Sequence, residues 1–122
     1  MQPVTEVVAW LRSVPEDEIG LSAITIQEVR TGAELMPAGQ KRIAVEAWLE
    51  QDLLRGFADR ILAVDASVAD FCGRLIVEAI GQGHTPGLGD ALIAATAKVH
   101  RLKVATLNRK HFKRLGVELV EF

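Results

Sequence analysis

The chain lacks the sequence features that disulfide-bonded or membrane-spanning architectures need. Cys72 is the single cysteine among 122 residues, so no internal disulfide framework can form. No apolar run approaches the roughly 20 residues of a membrane span. The segment after Met1 has neither the basic nor the apolar region of a signal peptide. We therefore expect a cytoplasmic protein with no membrane contact.

The sequence also lacks the motifs of several catalytic classes. No histidine has zinc-ligand spacing with Cys72 or with another histidine. No serine lies in a Gly-x-Ser-x-Gly turn, and no Gly-x-x-x-x-Gly-Lys loop is present to bind phosphates. His84, His100 and His111 predict no site of their own. These absences argue against zinc enzymes, serine hydrolases and P-loop nucleotide hydrolases.

The size and composition predict a single domain over residues 1–122. Hydrophobic residues make up 49% of the chain and charged residues 25%, as in ordinary globular proteins. The net charge of −2 is unevenly distributed, because residues 1–90 hold 14 acids against 7 bases and residues 91–122 hold 7 bases against 2 acids. The basic end permits a phosphate-bearing partner, although these residues could equally serve only to keep a surface soluble.

Short apolar runs alternate with helical patterns along the chain. Strands are predicted at 19–24, 61–64, 103–107 and 117–120, and helices at about 3–13, 26–35, 43–54, 66–81, from 90 onward, and 109–115. We expect Thr25 and Asp65 to cap the helices that follow them. This alternation predicts an α/β fold with a parallel sheet.

Three polar residues lie near the starts of helices or loops: Glu28 and Asn108 follow apolar runs, and Asp90 follows a glycine-bracketed loop and opens an alanine-rich helix pattern. Each has a structural alternative, because Thr25 to Glu28 matches a capping box, Asp90 suits a helix N-cap and Asn108 suits a turn. If the three converge at one sheet edge, they supply the oxygen ligands that Mg²⁺ or Mn²⁺ prefers. We treat them as candidate catalytic residues.

The residues around these positions resemble a known family, the PIN-domain endoribonucleases, and within it the VapC-type toxins of bacterial toxin–antitoxin systems. The matching stretches are Leu21-Ser22-Ala23-Ile24-Thr25-Ile26-Gln27-Glu28-Val29-Arg30-Thr31-Gly32, Gly89-Asp90-Ala91-Leu92-Ile93-Ala94-Ala95-Thr96-Ala97, and Val104-Ala105-Thr106-Leu107-Asn108 with Phe112.

The resemblance implies a three-layer α/β/α fold with a short parallel sheet and Mg²⁺- or Mn²⁺-dependent cleavage of tRNA or another structured RNA. It makes Glu28 and Asp90 metal ligands, places Asn108 at a fourth, variable site position, and has the Thr106 hydroxyl support the metal site. It also implies a small antitoxin partner and a homodimer. The residues expected to hold the RNA backbone are Arg109, Lys110, Lys113 and Arg114.

The family's central first strand and its first metal-binding aspartate have no counterpart here, because Met1 leads directly into what resembles the family's second helix. We expect a start codon recorded too late, although a decaying gene or a chain that works without the strand are alternatives. The missing aspartate also leaves open a catalytically inactive module that keeps only antitoxin-binding and dimer surfaces. A third alternative is an unrelated α/β regulator whose acids merely cap helices.

Overall fold

A computed structural model describes residues 9, 10 and 12–121 of the chain. The predicted helix at about 3–13 falls largely outside these residues. The chain divides into two compact units. The smaller unit is Ile19–Ala63, and the larger unit contains the described residues of Met1–Glu18 and Val64–Phe122. The expectation of a single domain over the whole chain stays a prediction.

The smaller unit contains a parallel pair of very short strands joined by helices. Strand β1 (Leu21–Ser22) leads directly into helix α1 (Ala23–Leu35), and after a turn come α2 (Gln40–Trp48) and a π-helical segment (Leu49–Arg55). Strand β2 (Ile61–Leu62) then pairs with β1, with Leu21 opposite Ile61. The sheet positions were predicted correctly, but each strand is shorter than its apolar run.

The N-cap of α1 differs from the predicted one. The helix begins at Ala23, and the Ser22 hydroxyl caps it by accepting a hydrogen bond of 3.1 Å from the Ile24 amide. Thr25 therefore lies inside the helix, in its first turn. The predicted capping box from Thr25 to Glu28 is wrong, because Ser22 reaches the free amides three residues earlier.

Ion pairs connect α1 to the segment that follows it. Arg30 contacts Glu34, Glu46 and Glu50, with the shortest distance, 2.8 Å, to the Glu50 Oε1 atom. Arg42 contacts Glu34 at 2.7 Å and Glu46 at 3.5 Å. Such partly exposed pairs stabilise by about 0.2–1 kcal/mol each, and a network of this kind mainly fixes the relative orientation of the helices.

The larger unit is built on two helices that pack against each other, α3 (Ala66–Gly81) and α4 (Leu88–His100). As predicted, Asp65 caps α3, because its Oδ1 accepts a hydrogen bond of 3.0 Å from the Val68 amide. A short helix, α5 (Arg109–Arg114), follows, and a 3₁₀ turn (Glu16–Glu18) precedes the smaller unit in the chain.

The predicted strands at 103–107 and 117–120 are reduced to one parallel bridge, between Val104 and Leu119. The Val104 amide donates to the Glu118 carbonyl at 2.9 Å, and the Val120 amide donates to the Val104 carbonyl at 3.0 Å. Val104 and Val117 are buried, so these apolar residues contribute to the packing of the core and do not mark a long β-ladder. The expected α/β fold with a short parallel sheet is confirmed, and helices dominate it.

Within the described residues, no helix is both long and apolar enough to span a bilayer.

The core of the larger unit is centred on small residues of α4. Ala91, Ala94 and Ala95 have no exposed surface, and they pack with buried side chains of α3 and α5 that include Val68, Cys72, Leu75 and Phe112. The buried Thr96 hydroxyl donates to the Leu92 carbonyl at 2.7 Å, which satisfies this polar side chain within the core. Alanine side chains let the two helices approach closely.

Ala95→Leu should lower the free energy of unfolding by about 1–3 kcal/mol, because the larger side chain has no space between α3 and α4. Urea unfolding monitored by circular dichroism measures the change. Ala69→Leu, at an exposed position of α3, is the matched control and should change stability by less than about 0.5 kcal/mol. Equal effects of the two substitutions would contradict the tight packing of α4.

Burial raises the pKa of the Cys72 thiol. As the pH rises, the unfolded chain therefore loses this proton before the folded chain does, and unfolding becomes more favourable. We expect the stability advantage of the wild type over Cys72→Ala to be constant below about pH 8 and to shrink between about pH 8 and pH 10. Urea unfolding of both proteins across this range measures the advantage, and a constant difference would contradict a raised pKa.

Candidate functional site

Asp90 lies in the first turn of α4 but does not cap the helix. The N-cap residue is Gly87, and Asp90 is the third residue of the helix. The predicted N-cap role is wrong, because the chain becomes helical at Leu88, ahead of the aspartate. The Asp90 side chain is 28% exposed and makes no capping hydrogen bond. Its carboxylate therefore remains available to a ligand, at a helix end that favours negative charge.

Asp90 and Asn108 meet through the imidazole ring of His111. The His111 Nδ1 atom lies 2.9 Å from the Asn108 Nδ2 atom and 3.5 Å from the Asp90 Oδ2 atom. The shorter contact is a hydrogen bond from the carboxamide to the ring when Nδ1 carries no proton, and the longer one is an ion pair when it does. In the first arrangement the Asn108 carboxamide oxygen is left free to accept from or bind another group.

Asn108 is fixed by its backbone as well as by its side chain. It holds the N-cap position of α5 without making a side-chain cap, and its amide donates to the Thr106 Oγ1 atom at 3.0 Å. Thr106 therefore supports the turn that presents Asn108. Whether its hydroxyl also supports a metal site stays a prediction.

His111 is the residue of this cluster that the sequence analysis missed. The search for histidines at zinc-ligand spacing assigned it no role, and its basic neighbours suggested only a charged surface. The available signal was its distance in sequence from Asn108. Residues three apart at the start of a helix lie on one face, so Asn108 and His111 are neighbours as soon as α5 is assigned.

Glu28 lies on α1 in the smaller unit, and its side chain is exposed. It is six residues beyond the Ser22 cap and takes no part in capping. Its convergence with Asp90 stays a prediction.

The four residues expected to bind RNA have different environments. Arg109 is held by the C-terminal segment, since its guanidinium donates to the Val120 carbonyl at 2.8 Å and contacts Glu121 at 3.2 Å. Lys110, Lys113 and Arg114 are exposed. Among the described residues, no carboxylate lies within ion-pair distance of these three side chains. Their charge is therefore available to a partner.

The donor chemistry of the Asp90 cluster fits a hard divalent cation. A carboxylate and a carboxamide are the oxygen ligands that Mg²⁺ and Mn²⁺ prefer. In the described part of the chain, no three His, Cys, Asp or Glu side chains are grouped closely enough to hold a metal ion. Asp90 is the carboxylate of this cluster, and its role as a metal ligand stays a prediction.

Comparison with known proteins identifies the chain's family. The PIN-domain family model matches residues 4–118. Toxin FitB of Neisseria gonorrhoeae is 41% identical over 111 residues, which are 91% of this chain and 80% of the relative. The VapC ribonuclease Y4jK of Sinorhizobium fredii is 34% identical and aligns over 98% of this chain and 85% of its own length.

Solved structures agree with the sequence comparison. The FitAcB crystal structure from Neisseria gonorrhoeae superposes with a TM-score of 0.87 at 39% identity, over 98% of this chain and 86% of the matched one. The VapBC-5 toxin–antitoxin structure from Mycobacterium tuberculosis gives a TM-score of 0.72 at 27% identity, over 87% of this chain and 83% of the matched one. The chain therefore belongs to the PIN-domain family, as a VapC-type toxin of the toxin–antitoxin class.

His111→Ala should release the Asn108 side chain without unfolding the protein. Removal of the ring takes away the 2.9 Å contact, so the Asn108 side-chain amide protons should exchange with water several-fold faster. The free energy of unfolding should fall by no more than about 1 kcal/mol, because the site is partly exposed. Nuclear magnetic resonance of the side-chain amides measures the exchange.

The matched control is His100→Ala, which removes an exposed ring from the end of α4. It should leave the Asn108 amide signals in place. An Asn108 exchange rate that is the same in the wild type and in His111→Ala would contradict the contact.

Proposed function

We propose that the chain is a metal-dependent endoribonuclease toxin whose activity a small antitoxin restrains. The observation that carries the proposal is the cluster of Asp90, Asn108 and His111 at the start of α4, in a chain that matches the PIN family over most of its length. A carboxylate and a carboxamide oxygen are ligands that Mg²⁺ and Mn²⁺ prefer.

The relatives support the nuclease activity. The Sinorhizobium fredii relative is a VapC ribonuclease, and a Shigella flexneri relative that is 32% identical over 79% of this chain is a tRNA(fMet)-specific endonuclease. We infer a structured RNA, with tRNA as the leading class, as the substrate here.

Each residue of the site has an assigned role. Asp90 and Glu28 would hold the cation through carboxylate oxygens, and Asn108 would contribute its carboxamide oxygen or orient the attacking water. His111 holds the Asn108 carboxamide by the 2.9 Å contact and so limits its rotation. Lys110, Lys113 and Arg114 would neutralise the RNA backbone, whereas Arg109 is engaged by Val120 and Glu121.

When bound, Mg²⁺ or Mn²⁺ supplies Lewis acidity toward water and toward the phosphodiester. The protein's part is to present the Asp90 carboxylate without a capping role. Asp90 lies in the first turn of α4, where the helix end is a favourable place for an anionic side chain.

An antitoxin partner is supported by the complexes in which the structural neighbours occur. VapBC-5 is a member of a family of toxin–antitoxin systems, and the relative Toxin FitB shares its name with the FitAB complex that was solved bound to a DNA fragment. We propose a small cognate antitoxin for this chain, and a homodimer of the toxin. Exposed large apolar side chains of the smaller unit are available for such contacts, namely Leu35, Ile43 and Trp48.

Asp90→Asn should reduce RNA cleavage by at least about 100-fold, because the variant replaces an ionised ligand with a neutral one of the same shape. The protein should be expressed from its natural reading frame and assayed with Mg²⁺ and with Mn²⁺. Calorimetric titration with Mn²⁺ provides a second readout, in which the variant should bind more weakly.

Asp70→Asn is the matched control, since Asp70 is an exposed aspartate of α3 whose partner is Arg74 at 3.3 Å. It should cleave RNA and bind Mn²⁺ like the wild type. Equal activity of Asp90→Asn and the wild type would remove Asp90 from the site. A wild-type protein that binds its antitoxin but cleaves no RNA with either metal would instead be the inactive binding module.

A further inference from the structure

A groove in the larger unit lies away from Asp90. It has a volume of about 510 Å³ and is formed by the C-terminal half of α3, the last turn of α4 and the end of α5. The charged side chains that line it are Arg74, Glu78, Lys98, Lys113 and Arg114. Four of these five are cations, so the groove is strongly basic.

The groove's cations are largely free to bind an anion. Among the described residues, no carboxylate lies within ion-pair distance of Lys98, Lys113 or Arg114. Arg74 pairs with Asp70 at 3.3 Å, on an exposed face. The Lys98 ammonium lies close to Gly116, which has a positive φ of 73°. A β-carbon at position 116 would be 3.8 Å from the Lys98 Nζ atom.

A second cavity continues the groove. It has a volume of about 380 Å³, and its walls are Gln82, Gly83, His84 and Arg114. Gln82 and Arg114 also line the groove, so the two cavities adjoin. The His84 Nε2 atom is enclosed and has no hydrogen-bond partner among the described residues. A buried polar atom of this kind is normally satisfied, and when Nε2 carries the ring proton it can donate to an anion's oxygen.

The groove and the Asp90 cluster lie at opposite ends of α4. Asp90 is in the first turn and Lys98 in the last, which separates them by about 12 Å along the helix axis. Successive phosphates of one strand are about 3.4 Å apart along a nucleic acid duplex, so this separation corresponds to roughly three or four nucleotides. One RNA molecule is long enough to contact both ends of α4.

We propose that this groove, with its His84 extension, adds Lys98 and His84 to Lys113 and Arg114 in one anchoring site that holds backbone phosphates of the RNA while the Asp90 end cleaves it. The inference rests on the proposed function for its choice of RNA. The observations that carry it are the unpaired cations, the enclosed His84 Nε2 atom and the continuity of the two cavities. Phosphate oxygens match all three, since they are anionic and accept several hydrogen bonds at once.

The structural alternative is that Lys98, Lys113 and Arg114 only stabilise the helix ends they occupy. Basic residues in a last turn interact favourably with the helix dipole. That role predicts a loss of stability on substitution with no change in RNA affinity, so the two explanations are separable.

The first test measures the binding of a mixed-sequence, single-stranded 2′-O-methyl RNA, which resists cleavage. Fluorescence anisotropy in EDTA, over a series of salt concentrations, gives the affinity and its salt dependence. The groove variant, which combines Lys98→Ala with Lys113→Ala, should bind this RNA about tenfold or more weakly than the wild type. It should also reduce the slope of log affinity against log salt by about 0.7 for each phosphate that the variant no longer neutralises.

The matched control is Lys41→Ala combined with Lys103→Ala, which removes the same charge from exposed lysines outside the groove. It should lower the affinity much less. Equal losses in the two double variants would mean that only net charge matters and would overturn the proposal. Unchanged affinity with reduced stability in the groove variant would assign these lysines to the helix ends.

The second test observes the groove directly. The His84 ring signals in nuclear magnetic resonance spectra should shift when the wild type is titrated with the same RNA, and the groove variant should show smaller shifts. If inorganic phosphate alone shifts the His84 signals saturably, and the groove variant binds RNA as tightly as the wild type, the groove is assigned to a free phosphate ligand. If polyglutamate shifts the His84 signals as much as the RNA does, and also displaces the RNA, the groove is assigned to an acidic protein segment.

The two proposals can fail separately. Binding is measured without metal and without cleavage, so a chain that cleaves nothing can still bind RNA in the groove. Asp90→Asn should bind the 2′-O-methyl RNA as the wild type does in EDTA, while it loses cleavage. If cleavage depends on Asp90 but RNA binding is the same with and without Lys98 and Lys113, the groove proposal is overturned and the proposed function stands.

Discussion

The larger unit depends on the close packing of α4 against its neighbours. Ala91, Ala94 and Ala95 have no exposed surface, so the helix lies deep in the core with little freedom to shift. Any larger side chain along this stripe would push the helix outward. Because Asp90 and Lys98 occupy the two ends of this helix, its burial determines where a carboxylate and an ammonium reach the surface.

The short helix α5 is positioned by the same core. Phe112 and Leu115 are buried in the cluster that includes the alanines of α4. The residue next to Phe112 is His111, which therefore has a defined place beside Asp90, and Asn108 lies three residues before it. A hydrophobic anchor thus orients two polar side chains, and the other end of α5 delivers Lys113 and Arg114 to the groove. The two ends of this short helix thus bring polar groups to the two ends of α4.

Helices could be predicted from the sequence more accurately than strands or caps. The bounds of α3 follow from the Asp65 cap and the apolar face, both of which are local. The runs at 103–107 and 117–120 contain buried residues, as their apolar character indicates. A longer β-ladder also needs a paired strand of matching length, and the apolar pattern of one segment does not show whether such a strand exists. Ser22 was overlooked as a cap because it lies within an apolar run that resembled a longer strand.

The candidate site could be predicted in part. Asn108 was named from its position after an apolar run and Asp90 from its position after a glycine-bracketed loop, and the structure joins them through His111. The histidine was missed because the search considered zinc-ligand spacing alone. Its contact with Asn108 is local, whereas its contact with Asp90 depends on α4 and α5 meeting. The basic groove combines residues of α3, α4 and α5 with a loop histidine, and no single stretch of sequence carries that combination.

The direct passage from β1 into α1 has a consequence for how the chain can change in length. Ser22 is both the last residue of the strand and the cap of the helix, so no connecting loop exists to absorb an insertion. One residue added there would turn every α1 side chain by about 100° around the helix axis, which would direct Glu28 elsewhere and break the Arg30 ion pairs. The turn between α1 and α2, with exposed Pro37 and Gly39, has no such coupling to the strand. Insertions and deletions are therefore tolerable after α1 and disruptive before it.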